Sequence, residues 1–248
     1  MNDEQLLRYS RQIMLPQVDV AGQEKILNAQ VLVVGLGGLG CPVAMYLAAA
    51  GVGHLVLADF DEVDLTNLQR QIAHHQSDIG RPKVESARDK IHQLNPATQV
   101  TALHKKLDEA ELEQQVAAAD IVVDCTDNFS IRHAINRACV TNTTPLVSGA
   151  AIRLEGQVAV FDPRREGTPC YRCLYALDND ENLSCSESGV LAPLVGIIGS
   201  VQALEALKLL ADFGEPLAGK LLLLDATTME WRSLKLPRDP ACPVCGDL

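Results

Sequence analysis

The sequence predicts an α/β fold: a mostly parallel sheet with helices on both faces, extended by antiparallel strands. Three observations carry this. Up to about residue 150, short β-branched runs alternate with segments of helical periodicity, the pattern of strands joined by crossover helices. A glycine-rich turn follows the first run and an acidic residue ends the second. After Ala151 the pattern changes to alternation of polar and apolar residues, which suits antiparallel strands.

The elements follow in order. Gln30–Gly35 (QVLVVG) reads as the first strand, opening into Gly35-Leu-Gly-Gly-Leu-Gly40 and then a helix to about Ala50. His54–Asp59 (HLVLAD) is a second buried strand. Lys83–Leu94 places Val84, Ala87, Ile91 and Leu94 on one helical face, and Asn95-Pro96 stops it. Gln99–Leu103 is a third strand, Glu109–Ala119 a helix, Ile121–Asp124 a fourth strand, Ile131–Thr141 a helix and Pro145–Ala150 a fifth strand. Gly156–Phe161 and parts of Lys220–Leu236 read as added antiparallel strands, with a helix over Val190–Leu210 between them. No change of composition marks a second domain, so residues 1–248 are expected to form one.

The bulk properties exclude several classes. The formal net charge is −11 over 248 residues, so nucleic acid and anionic membrane are not expected partners. The stretch Val190–Leu210 is broken by Pro193, Gly196, Glu205 and Lys208, which fits a helix inside the protein better than a membrane span. The first residues, MNDEQLLRYSRQ, lack the apolar core of a signal peptide. A cytoplasmic location is therefore expected, where structural disulfides are rare.

Gly35-x-Gly37-x-x-Gly40 lies between a strand and a helix, with Asp59 ending the next strand. That is the Rossmann-like dinucleotide arrangement. Gly35 allows the tight turn, Gly37 lets a phosphate approach the backbone, Gly40 lets helix pack on strand, and Asp59 accepts from ribose hydroxyls. A glycine turn needed only for packing is the bland alternative. The loop specifies an adenine nucleotide and leaves NAD and ATP open. A dehydrogenase would want a catalytic His or Tyr–Lys pair, and none is evident; a non-catalytic nucleotide-binding adaptor would bind ATP without turnover. Arg70, in the polar segment after Asp59, and Lys83, after Gly80-Arg-Pro82, read as phosphate contacts. Pro82 suits the first helical turn, so Lys83 would oppose its helix dipole until an anion binds beside it. Asp127, after the fourth strand in Asp124-Cys-Thr-Asp127-Asn128, can hold Mg²⁺; equally, Asp127 or Asn128 can cap the next helix.

Cys170-x-x-Cys173 and Cys242-x-x-Cys245 offer four thiolates, the ligand set of a closed structural Zn²⁺ site. Two separate redox motifs are the alternative, without a thioredoxin-like context to support them. Cys41, Cys125 and Cys139 read as core residues. Cys185 lies in a polar segment and reads equally as an accessible nucleophile or an incidental cysteine. The six histidines show no metal or triad spacing.

GLGGLG, DFDEVDLTNLQRQ, GRPKVESA, DCTDN, CYRC and CPVC occur in this order over nearly the whole chain. Together they resemble the bacterial activating enzymes of the MoeB/ThiF family, related to the ubiquitin-activating enzymes. Val147–Gln157 is more similar to the molybdopterin-synthase branch. The RYSRQ segment and Leu57-Ala-Asp59 are as close to the thiamin-pathway branch. The resemblance implies an α/β adenylation domain that takes ATP as substrate, with Mg²⁺ and structural Zn²⁺. It would act on the C-terminal carboxylate of a small ubiquitin-like sulfur carrier ending in Gly-Gly. It implies that Gly38 lies against the phosphates and Asp59 on the ribose. Thr66, Asn67, Leu68, Gln69 and Arg70 form a nucleotide-binding segment in which Asn67 and Arg70 contact phosphates, as does Lys83. Asp127 would bind Mg²⁺ with Asn128 beside the nucleotide. Arg11 would reach the γ-phosphate held by the other protomer of a homodimer. Cys185 matches the thiol that carries a covalent sulfur intermediate in the thiamin branch. With the chain ending soon after Cys245, no rhodanese-like domain is expected, and sulfur would come from a separate cysteine desulfurase or rhodanese-type donor.

Overall fold

The computed structural model describes residues 1–175 and 189–246. Three helices precede the sheet: α1 (Asp3–Arg8), α2 (Ser10–Ile13) and α3 (Asp19–Asn28). Sequence periodicity does not announce them, because α1 and α2 bury no residue. A local signal starts α1: Asn2 accepts from the Gln5 N–H while the Gln5 side chain accepts from the Asn2 N–H, a reciprocal capping box.

Eight strands form one sheet in the order β3-β2-β1-β4-β5-β6-β7-β8. β1 (Gln30–Val34), β2 (His54–Ala58), β3 (Gln99–Leu103), β4 (Ile121–Asp124) and β5 (Leu146–Ile152) are parallel. β6 (Glu155–Phe161), β7 (Lys220–Asp225) and β8 (Glu230–Lys235) continue antiparallel. The crossover helices are α4 (Gly40–Ala50), α5 (Lys83–Leu94), α6 (Glu109–Ala118) and α7 (Phe129–Thr141). A single turn, α8 (Tyr171–Leu174), and a long helix, α9 (Ala192–Ala211), complete the described elements.

The central strands read as unbroken apolar runs because both faces are covered. Val31, Val33, Leu55, Leu57, Ile121 and Val123 point to one side, where Leu47, Ile91, Leu194 and Ile198 cover them. Leu32, Val34, Val56 and Val122 point to the other, against Leu112, Val116 and Ile135. Helix α9 is long and apolar enough by composition to cross a membrane, yet half of it is buried inside the protein. It packs on α4, β5 and β6. Gly199 makes the α4 approach possible, since a Cβ there would lie 2.5 Å from the Leu39 carbonyl oxygen. The helix begins at Ala192, two residues later than the apolar run suggests. Pro193 occupies its first turn, and Val190 instead pairs with Arg153.

The chain leaves β1 for β2 and β3 on one side, then crosses to β4 on the other. The carboxyl ends of β1 and β4 therefore diverge, and the crevice between them is where such sheets hold ligands.

Candidate functional site

A cleft of about 1120 Å³ opens at that switch point. Its floor is the glycine loop between β1 and α4. Gly35 adopts a φ of 91°, and a Cβ on it would fall 2.8 Å from the Cys125 carbonyl oxygen. At Gly40 a Cβ would lie 1.8 Å from the Gly35 oxygen, so a side chain at either position would break the turn. Gly37 and Gly38 line the cleft. Gly38 also lets Val195 of α9 close against the loop, where a Cβ would come within 2.9 Å of its methyl carbon.

Asp59 fastens the loop to the end of β2. One carboxylate oxygen accepts from the Leu36 N–H at 2.6 Å and the other from the Asp61 N–H at 2.8 Å. Burial raises its pKa above the usual carboxylate value, against the opposing pull of Lys83 and these two N–H groups. Lys83 opens α5 and donates to Asp61 at 2.8 Å. Pro82 is the N-cap of α5, one position earlier than expected, with an extended ψ of 131°. This turns the chain so that the Lys83 ammonium faces the cleft wall.

Asn67 and Arg70 line the cleft. Asp64 caps the short turn Leu65–Asn67, Asn67 closes the box by accepting from the Asp64 N–H at 3.1 Å, and Arg70 donates to the Thr66 carbonyl at 3.0 Å. Thr66 is tied to Asp64 at 2.6 Å; Thr66, Leu68 and Gln69 belong to this segment but lie off the cleft wall. Asp127 and Asn128 stand at the opposite lip, and of the two it is Asn128 that caps α7, accepting from the Ile131 N–H at 3.2 Å. Asp127 is exposed to the cleft with no capping duty.

Two cleft residues escape sequence reading. Arg132, on the first turn of α7, is 7% exposed and sits 3.7 Å from the buried Asp124 carboxylate. It donates to the carbonyls of Thr126 and Gly149, while its Nε, the atom nearest Asp124, makes no hydrogen bond among the described residues. Burial works against its charge and Asp124 for it, and the guanidinium pKa ends above its usual value. Gln71 is 4% exposed, borders Gly37, and leaves its Oε1 without a partner among the described residues. The only signal for Arg132 is its position four residues after the helix cap; for Gln71 it is membership of the Asn67–Gln71 run. Arg70, Lys83 and Arg132 thus converge on one cleft of a chain whose net charge is −11.

Arg11 does not join this group. It is exposed and borders a separate depression with Arg8, Tyr46 and Leu204. Cys185 lies outside the described residues. Cys41, Cys125 and Cys139 are buried, as expected of core thiols.

The four remaining cysteines meet although they are far apart in sequence. Their sulfurs all lie within 4.8 Å of one another. Cys170 and Cys242 are 3.7 Å apart and Cys173 and Cys245 3.5 Å apart. These spacings are far too long for S–S bonds. They approach the separation of about 3.8 Å that a tetrahedron of metal–sulfur bonds of about 2.3 Å requires. The donor set and geometry fit Zn²⁺. Asn136 adds an amide donor to the Cys170 sulfur at 3.5 Å. Cys170 does cap the single turn α8, but among the described residues no βαβ unit of a redox domain surrounds it.

Comparison with known proteins gives four concordant likenesses. The model of the ThiF family matches residues 9–244. The molybdopterin-synthase adenylyltransferase of Escherichia coli K12 is 52% identical, covering 99% of this chain and 98% of its own. The sulfur carrier protein ThiS adenylyltransferase of the same organism is 50% identical, covering 99% and 97%. Among solved structures, E. coli MccB with ATP superposes with a TM-score of 0.85 at 28% identity, over 99% of this chain and 75% of that one.

Proposed function

This chain belongs to the ThiF family, and from that premise we propose that it adenylates the C-terminal Gly-Gly carboxylate of a small ubiquitin-like sulfur carrier. The carrier is the small subunit of molybdopterin synthase, and the product serves molybdenum cofactor biosynthesis. Residues 1–248 act as one adenylation unit. The observation that carries the reading is the convergence of the glycine loop, Asp59, Arg70, Lys83 and Asp127 on one cleft at the switch point of the sheet.

The carrier's carboxylate has a pKa of about 3.5 and is already ionised at neutral pH. No general base is needed. A carboxylate oxygen attacks the α-phosphorus of ATP, the bond from that phosphorus to the bridging oxygen breaks, and pyrophosphate leaves with the electron pair. The obstacle is repulsion between an anion and a polyanion. Lys83, Arg70 and the backbone N–H groups of the glycine loop offset it, and they are in place before reaction. Arg132 extends the positive wall toward Gly149 of β5. Asp127 has the donor type and exposure to hold Mg²⁺ through one carboxylate oxygen, and the ion would neutralise phosphate charge. Asp59 takes the ribose while fixing the loop beneath it.

Arg11 lies outside the cleft of its own chain, so a role at the γ-phosphate requires a second copy; we therefore read the active form as a homodimer. Cys170, Cys173, Cys242 and Cys245 would hold a structural Zn²⁺ that ties the C-terminal segment to the middle of the chain. Sulfur enters later, from a separate donor, with Cys185 as a candidate carrier thiol. The setting is cytoplasmic.

The test is ATP–pyrophosphate exchange with purified protein and each candidate carrier. Exchange dependent on the molybdopterin-synthase small subunit is the expected result. The 50% identity to the thiamin-pathway enzyme favours a second reading, in which the thiamin carrier supports exchange instead. Exchange with neither overturns the proposal.

A further inference from the structure

Beneath the glycine loop lies a buried polar chain that the adenylation chemistry does not use. Leu36, between Gly35 and Gly37, is held by its peptide groups on both sides. Its N–H donates to Asp59 at 2.6 Å. Its carbonyl oxygen meets the Nε2 of His74 at 3.2 Å and the Cys41 thiol at 3.3 Å. The Nδ1 of His74 lies 2.8 Å from the Ser86 hydroxyl, which donates to Asp78 at 2.9 Å. Asp78 also accepts from the His75 N–H at 2.9 Å and from Arg81 at 2.8 Å. His74, Ser86 and Asp78 are 5%, 3% and 7% exposed.

Counting protons fixes the state in which this chain closes. Burial acts to raise the Asp78 pKa, but its three donors outweigh burial and hold it down as a carboxylate. Asp78 therefore takes the one proton of Ser86. The Ser86 oxygen must then accept from Nδ1–H, while the Leu36 carbonyl can only accept from Nε2–H. Both bonds exist together only in the imidazolium. In the neutral ring one nitrogen carries a lone pair: on Nε2 it would face the Leu36 carbonyl, and on Nδ1 it would face the Ser86 oxygen, whose proton Asp78 holds.

Planarity of the peptide gives this contact its consequence. The Leu36 carbonyl and the Gly37 N–H belong to one trans peptide and point in opposite directions. Drawing the carbonyl down onto His74 aims the Gly37 N–H up into the cleft, toward an incoming phosphate.

Charged groups surround the ring from every packed element. Asp78 on the adjoining turn and Asp59 at the end of β2 favour the charged form, as does the Leu36 carbonyl; Lys83 on α5 opposes it, as does burial, the largest influence. The Cys41 thiol on α4 lies 3.7 Å from Nε2 and stays protonated. Burial and Lys83 prevail in the absence of nucleotide, so the His74 pKa lies below its usual value. A triphosphate over Gly37 and beside Lys83 reverses that balance.

We propose that His74 is a positioning residue of the nucleotide site, which takes up one proton from solution as ATP binds and, as the imidazolium, locks the glycine loop in its phosphate-binding orientation. The inference rests on the reading of the cleft as the ATP site.

The experiment is calorimetry of ATP binding, without carrier, in two buffers of different ionisation enthalpy near neutral pH, for wild type and His74→Gln. Comparing the two proteins cancels the protons that ATP itself exchanges. The expected result is proton uptake in wild type that exceeds that of His74→Gln by up to one per site. Wild-type affinity should also fall more steeply with rising pH than that of the variant, by at most about tenfold per pH unit. A histidine with only a packing role would weaken binding equally at every pH and leave proton uptake unchanged, and that result overturns the inference. Absence of ATP binding to wild type overturns the reading of the cleft as well. Should His74→Gln fail to fold, the His74 ring resonance of wild type decides: its pKa must rise when ATP is added, and an unmoved value overturns the inference.

Discussion

The Lys83 ammonium lies 2.8 Å from the Asp61 carboxylate, but the partners differ in environment: the lysine side chain is 6% exposed and the aspartate 49%. Removing one member of such a pair is therefore not equivalent to removing the other. Asp61→Ala leaves a buried cation without its hydrogen-bonded partner and with only the longer-range pull of Asp59, whereas Lys83→Met leaves a half-solvated anion. Breaking a fully buried pair costs about 3–5 kcal/mol, and solvent around Asp61 discounts this to about 1–2 kcal/mol. Asp61→Ala should thus melt at lower temperature than Lys83→Met in the absence of nucleotide. ATP should restore much of the loss in Asp61→Ala, because phosphate supplies the missing negative charge and ligand binding stabilises the folded state. Turnover should respond in the opposite order, with Lys83→Met losing about a hundredfold in exchange rate. Equal melting temperatures for the two variants would refute the asymmetry.

Asp127 and Asn128 are neighbours with separable duties. Asn128 caps α7, and loss of a cap costs about 1 kcal/mol. Asn128→Ala should lower the melting temperature, with a lesser effect on exchange. Asp127→Asn should leave stability within about 0.5 kcal/mol while raising the Mg²⁺ concentration needed for half-maximal exchange. Melting curves and Mg²⁺ titrations of both variants check this. A destabilised Asp127→Asn with normal Mg²⁺ dependence would assign the residues the other way round.

The four-sulfur cluster predicts one zinc per chain, measured by elemental analysis of protein purified without added metal. Removal by a chelator should expose four thiols to an aromatic disulfide reagent, those of Cys170, Cys173, Cys242 and Cys245. It should also lower the melting temperature, since the site joins segments far apart in the chain. Cys242→Ser should reproduce the loss. Metal-free protein with unchanged stability would show that the sulfurs only pack together.

The centre of the parallel sheet was legible in the sequence because β1, β2 and β4 are buried on both faces and spell nearly unbroken apolar runs, as Val31–Val34 and Leu55–Ala58 do. The cysteine cluster was legible because a metal site demands residue types rather than shapes. α1 and α2 were not, since helices that bury no residue carry no apolar stripe. Arg132 and His74 were missed for a different reason. Each acts through what it meets in space, Asp124 in one case and the Leu36 carbonyl in the other. Nothing in the spacing of either from its partner marks the contact. Pro82 shows the limit of local rules: it starts α5 as expected, but from the cap and not the first turn.

Three core thiols set the behaviour of the protein in alkali. Burial raises the Cys41 pKa to about 12, above an ordinary value of 9.0, and burial likewise raises those of Cys125 and Cys139. The unfolded chain releases these protons near the ordinary value while the folded chain retains them. The folded state therefore binds more protons between the two values, and stability must fall as pH rises through that window. Below the ordinary thiol value the contribution is constant. Above it each group costs about 1.4 kcal/mol per pH unit until its folded value is reached. Urea midpoints should hence drop steeply above the thiol range, and Cys41→Ala should show a shallower decline than wild type, whatever its stability at neutral pH. The same burial should keep the three thiols unreactive to iodoacetamide in the native protein. Identical alkaline slopes for wild type and Cys41→Ala would show that Cys41 titrates alike in the folded and unfolded chains.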